Sequence, residues 1–311
     1  MRVETRDGFE FEPMHYPFNQ KQAIRIVTGN HTIQEYQEYI NENGIEYANI
    51  VMPNLQILRA CPTLKHLRIC PSDDSAAGFD FTPLYEVPEI VSLNCQNQYG
   101  NRQQYIGKID YSLIRGLKEL HVHANRGALN YNKVGTLKSF SIGGTQKVNR
   151  DITDLFCSEI LDTFTLHECG ILSLNGVEKS RQLQCLYLYY NRSLQDISAL
   201  KKVKGTLRAL RIANCPRIND FSVLGELENV ELLELSGSNE LPDLSFLKQM
   251  KSLKTFVFSM NVKDGDLTPC LNLSYVYSEK NRKHYNLKDK ELPKAQYVRG
   301  NENIEEWRRL E

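Results

Sequence analysis

One spacing recurs along this chain: an apolar residue, two variable ones, a second apolar residue, one variable, and a third apolar residue. It is met at Leu64, Leu67, Ile69; Ile90, Leu93, Cys95; Leu117, Leu120, Val122; and Leu137, Phe140, Ile142. It continues at Leu161, Phe164, Leu166; Leu183, Leu186, Leu188; Leu207, Leu210, Ile212; Val230, Leu233, Leu235; and Leu253, Phe256, Phe258. Ile45, Ala48, Ile50 fit upstream, Ile24 with Ile26 supply one strand more, and a weaker copy ends the series with Tyr275 and Tyr277 in its last two places. From Ile24 to Tyr275 the middle position returns every 23 residues or so, on average. Strand side chains alternate faces, so the second and third apolar residues point one way and the residue between them the other. A unit this short cannot enclose a core alone. It buries its apolar side only against the next copy, which predicts a one-dimensional stack although 311 residues would ordinarily suggest two globular domains.

The segment after each strand also repeats. Asn191, Leu194, Asp196, Ile197, Ser198, Leu200, Val203, Leu207 align with Cys215, Ile218, Asp220, Phe221, Ser222, Leu224, Leu227, Val230. Asn239, Leu241, Asp243, Leu244, Ser245, Leu247, Met250, Leu253 make a third copy, Asp151, Ile152, Thr153, Leu155 a partial one, and Asp80 to Thr82 and Asp110 to Ser112 keep the turn upstream. This pattern resembles the short repeats of bacterial internalin-type leucine-rich-repeat proteins, most closely from about residue 150 to 260. The resemblance implies an α/β leucine-rich-repeat solenoid: a curved right-handed stack, with a parallel sheet on the concave face and short helical turns on the convex one. It also implies that the Asn at the inward turn, as at Asn125, Asn191 and Asn261, satisfies backbone groups there, Cys169 and Cys215 holding the same place. Asp or Ser of the Asp-Ile-Ser piece is expected to cap the amides of the helical turn.

A stack needs covered ends. Residues 1–44 are expected to form an N-terminal cap of strand and helix, with a capping box at Thr32 and Glu35 and a helix stop at Gly44. Repeats then occupy 45–278, and a polar segment, 279–311, closes the other end with Tyr297, Val298 and Trp307, the whole being one continuous solenoid domain.

Lys and Arg number 38 and Asp and Glu 38, so no net field gathers nucleic acid or an anionic membrane. Apolar runs long enough to span a membrane are missing. Charges fill the first seven residues where a secretory leader needs an apolar run, which, with Met1 as the natural start, predicts a cytoplasmic protein. The eight cysteines are dispersed and are read as reduced thiols in packing positions.

Function is expected on the concave sheet, at the outward residues of each strand. Tyr187, Tyr189 and Tyr190 stand there beside His167 and Arg211, and Tyr and Arg are enriched in protein-binding hot spots. Asn94, Arg68, Glu234, His121 and His123 belong to the same outward rows. Because these side chains point away from the core, Tyr187→Ala, Tyr189→Ala and Arg211→Ala are expected to leave the melting temperature nearly unchanged. The pair His121 and His123, with Glu119, offers an alternative metal or small-ligand site. His66 and Arg68 near the start of the array read as a solvated basic pair, and no nucleophile, phosphate-loop or dinucleotide motif is found.

These residues point to a monomeric, non-enzymatic bacterial scaffold without cofactor that holds another protein, as an intracellular inhibitor or neutralising partner would. A surface adhesin of the internalin kind is the other reading. Against it, Leu292 to Gln296 lacks the Thr and Gly of a sortase anchor.

Overall fold

A computed structural model describes residues 3–14, 21–72, 78–95, 107–124, 127–144, 151–155 and 158–295. The chain divides into two compact units, Met1–Ile142 and Gly143–Glu311.

The first unit opens with a hairpin of β1 (Glu4–Arg6) and β2 (Phe9–Pro13), antiparallel to each other. Asp7 and Gly8 form its turn with φ of 51° and 88°, the left-handed pair that a two-residue hairpin connection requires. β2 pairs antiparallel with β3 (Gln22–Val27), so the edge of the parallel array that follows is covered by chain rather than left open. This hairpin precedes the first strand expected from the repeat, although Asp7-Gly8 before Phe9 and Phe11 is its signal.

Helix α1 (Ile33–Glu42) starts where expected. The Thr32 hydroxyl accepts from the Glu35 amide at 3.2 Å, and Glu35 returns to the Thr32 amide at 2.7 Å. Tyr36 and Ile40, one turn apart, bury the face that meets the sheet. Strands β4 (Tyr47–Val51), β5 (His66–Ile69), β6 (Ser92–Cys95) and β7 (Glu119–His123) then run parallel. Their register places Ala48, Leu67, Leu93 and Leu120 in one row, all buried, as the recurring spacing predicts. β8 (Ser139–Gly143) begins in this unit, where the Lys138 amide before it bonds Lys118 O at 2.8 Å.

In the second unit β9 (Thr163–His167), β10 (Cys185–Tyr189), β11 (Ala209–Ala213), β12 (Leu232–Ser236), β13 (Thr255–Phe258) and β14 (Tyr275–Ser278) pair in parallel in that order. The core row reads Phe164, Leu186, Leu210, Leu233, Phe256, Val276. The last member corrects the sequence reading. Val276, not Tyr275, pairs with Phe256, so the final repeat is shifted by one residue and Tyr275 and Tyr277 lie on the other face. Two aromatic residues at alternate positions look like core, but here the Lys294 ammonium lies 5.5 and 5.6 Å from their ring centres. Lys294 belongs to a returning segment that closes the free edge of β14: the Val276 amide bonds Pro293 O and the Ala295 amide bonds Ser274 O. Tyr297, Val298 and Trp307 lie outside the described residues.

The connections use the repeat's polar residues as anticipated. Asn191 accepts from the Cys169 amide and donates to Leu166 O, both at 2.9 Å, bridging two backbone groups of the preceding repeat. Asn239 donates to Cys215 O and Ile218 O. Asn125 is outside the described residues, and Asn261 departs from the rule by donating to the Glu240 carboxylate. Asp196, Asp220 and Asp243 accept from the amides of Ser198, Ser222 and Ser245 at 2.8, 2.8 and 2.7 Å, each opening a short 3-10 turn.

The hydrogen bonds from Ser245 hold the Asp243 carboxyl below its usual pKa. A carboxylate with a lowered folded pKa contributes stability above the unfolded value, near pH ~4, and loses it as pH falls through the folded one. Asp243→Ala is therefore expected to lower Tm at pH 7, with the gap to wild type closing in acid. A gap that stays constant from pH 7 to pH 3 contradicts this role.

Candidate protein-binding face

The expected site residues of the second unit gather on one sheet face, but not equally exposed. Tyr187 and Arg211 pair in register and retain only 6 % exposure each. The cause is a second apolar layer on the outward side of the sheet. Cys185, Ala209 and Leu232, the first outward residues of three adjacent strands, pack with Tyr187, and Tyr189 leans on the group. Arg211 lies with its guanidinium carbon 5.5 Å from the Tyr187 ring centre and its Nε 3.3 Å from Glu234 Oε2. Burial works against the Arg211 charge, but Tyr189 and Glu234 outweigh it and hold the pKa above the ordinary arginine value. Burial likewise pushes the Tyr189 hydroxyl up, against the pull of Arg211. The expectation that Tyr187 and Arg211 stand clear of any packing is thus corrected: they are the base on which more exposed rings rest.

Those rings are His167, Tyr189 and Tyr190. His167 and Tyr189 pair in register with ring centres 6.5 Å apart, and Tyr190 lies 5.4 Å from His167. Tyr187 and Tyr189 are 6.4 Å apart. Tyr190 is 43 % exposed and has φ 55°. Its backbone place is set by the repeat: Gly144, Glu168, Tyr190, Asn214 and Gly237 follow the ends of successive strands, and all have positive φ. The amides of the first four reach the next strand end, as Tyr190 N does to Ala213 O at 2.9 Å. Glycine takes this conformation without penalty, whereas an ordinary side chain costs about 1–2 kcal/mol there. Glu168 and Tyr190 both carry that cost.

In the first unit Arg68, Asn94 and His121 lie in one register row. Asn94 is buried. The row beside it forms a hydrogen-bond line: the Tyr47 and His66 rings stack at 4.2 Å, His66 Nδ1 meets Ser92 Oγ at 2.9 Å, and Ser92 Oγ donates to Glu119 Oε2 at 2.8 Å. Ser92 is fully buried, its hydroxyl donating to Glu119 with His66 Nδ1 beside its oxygen. Burial lowers the His66 pKa. His66 is thus a structural member of the sheet rather than a solvated basic residue. Glu119, placed by the sequence with His121 and His123, is engaged by Ser92, and among the described residues no three His, Cys, Asp or Glu side chains converge on a metal position.

No family model matches the sequence, and no curated protein matches it either. Solved structures do. An internalin of Listeria monocytogenes, InlF, superposes with a TM-score of 0.53 at 18 % identity, over 82 % of this chain and 73 % of that one. The functional domain of InlJ from Listeria monocytogenes, described as including a cysteine ladder, gives 0.48 at 16 % identity, over 69 % of this chain and 49 % of that one. With the repeat register already established, the likeness to InlF decides the fold. This chain has a leucine-rich-repeat fold.

Within the leucine-rich-repeat protein, sequence reasoning overlooked Cys185, Ala209, Leu232 and Glu168. A signal existed for the first three: small or apolar residues at the same outward position in three consecutive copies announce a packed face. Nothing local marks Glu168, whose left-handed backbone follows from the alignment of five strand ends. No described helix of the leucine-rich-repeat protein is long and apolar enough to cross a membrane.

Proposed function

We propose that this leucine-rich-repeat protein is a non-enzymatic scaffold that holds another protein on the sheet face of the second unit. The observation that carries the reading is the group of His167, Tyr189 and Tyr190 rings standing on a buried Tyr187–Arg211–Glu234 base. Rigid aromatic rings lose little entropy on binding, and a base that fixes them beforehand lowers the cost further. Arg68, His121 and His123 supply outward polar groups on the sheet of the first unit, with Asn94 buried between Arg68 and His121 in their row. A monomer acting in the cytoplasm as an inhibitor or neutralising partner fits these features.

The test is capture from native cell extract. Tyr189→Ala and Tyr190→Ala should weaken it at least about tenfold, equivalent to ~1.4 kcal/mol, with Tyr190→Ala folding normally. Lys201→Ala and Lys202→Ala, in the turn Ser198–Val203 away from this face, should bind like wild type. Loss with the lysines and none with the tyrosines would move the binding surface elsewhere.

The reducing compartment has its own check. Seven described cysteines are free, and burial pushes the thiols of Cys61 and Cys215 up to about 11 and those of Cys95 and Cys270 to about 12, which keeps them protonated and unreactive. Thiol titration of the denatured, unreduced protein should return all eight cysteines, including Cys157, which lies outside the described residues. A count of six or fewer would remove the cytoplasmic reading.

A further inference from the structure

Two adjacent strand ends of the second unit combine strain, aromatic surface and charge. Glu168 and Tyr190 are exposed and left-handed where Gly144, Asn214 and Gly237 hold the same place in neighbouring repeats. Each is preceded by an outward ring, His167 before Glu168 and Tyr189 before Tyr190, and the His167 ring centre lies 6.5 Å from that of Tyr189 and 5.4 Å from that of Tyr190. Strained backbone gathers where a side chain contacts a ligand, because folding alone would favour the residue that fits. The two strained residues, one an exposed carboxylate and the other an exposed phenol ring, each follow directly on an outward ring in the chain. The guanidinium already on this face, that of Arg211, is buried and paired with Glu234.

The faces of aromatic rings attract cations, and a guanidinium both stacks on a ring and bonds a carboxylate through its fork of N–H groups. We propose that this patch takes an arginine side chain of the partner, laid against His167, Tyr189 and Tyr190 with the Glu168 carboxylate as its counter-charge. The inference rests on the proposed protein-binding reading and names the chemistry of the group received. Arg192, exposed two residues beyond Tyr190, carries the opposite charge and gives the test its sign.

The experiment uses the full chain with labelled tyrosine rings, titrated by NMR with N-acetyl-arginine amide and with its neutral analogue N-acetyl-citrulline amide. Tyr189 and Tyr190 signals should move with the arginine probe, which should bind about fivefold more tightly than citrulline, the scale of an exposed cation–π contact with a nearby counter-charge. Glu168→Gln should remove most of that preference, and Arg192→Gln should increase it. Glu168→Gly separates binding from folding: with its backbone strain relieved it should melt no lower than wild type and still lose the preference. Equal binding of both probes, or tighter binding of N-acetyl-glutamate amide, overturns the arginine assignment. Should capture from extract remain sensitive to Tyr189 and Tyr190 in that case, the scaffold reading stands without it; should capture ignore them too, both fall.

Discussion

Arg211→Ala is expected to destabilise the folded chain by about 3 kcal/mol, the lower end of the range for removing one partner of a buried ion pair. The lower end applies because Glu234 keeps 23 % of its side chain exposed, so water screens part of the charge left behind, whereas Arg211 keeps 7 %. Part of the loss is packing, since the guanidinium also lies 5.5 Å from the Tyr187 ring centre. Replacing the pair together, Arg211→Met with Glu234→Gln, should recover most of the stability, because an apolar chain of similar length restores the contact and no charge is stranded. Urea unfolding measures this as a lower midpoint at unchanged slope for Arg211→Ala. A change within ~0.5 kcal/mol would show Arg211 to be an ordinary surface residue, as first expected.

Leu186→Ala and Leu210→Ala should each cost about 2–5 kcal/mol, the range for emptying a closed core position. Both side chains are fully buried and face each other across β10 and β11. Because they are register neighbours on one face of the sheet, the losses of the two single variants should not simply add in the double variant. Lys201→Ala, exposed in its turn, is the control and should stay within ~0.5 kcal/mol. Losses of that small size at the two leucines would mean that the register of the whole second unit is misread.

These two tests fall on either side of a division between what residue order carries and what packing decides. The core row from Phe164 to Phe256 is legible because it depends on a local rule: strand side chains alternate, and a repeat buries only one of its faces. The same holds for Asp196, Asp220 and Asp243, which bond an amide two residues ahead and need no distant partner. The capping box at Thr32 spans three residues and is equally local. Where the local rule is ambiguous, the reading slips. Tyr275 and Tyr277 alternate like core residues, and only pairing with β13 shows that Val276 lies inside.

The state of the outward face is another matter. Whether Tyr187 and Arg211 reach solvent depends on Cys185, Ala209, Leu232 and Glu234, contributed by three strands that the sequence separates by a full repeat each. The left-handed backbone of Glu168 and Tyr190 arises in the same way, from amides that must reach the next strand end. Sequence order alone determined the repeat and, from Phe164 to Phe256, its register and the faces of its strands, because those follow from alternation and turn chemistry within one copy. Tertiary structure decided which outward side chains are foundation and which are surface, because burial on that face is made by neighbours from other copies.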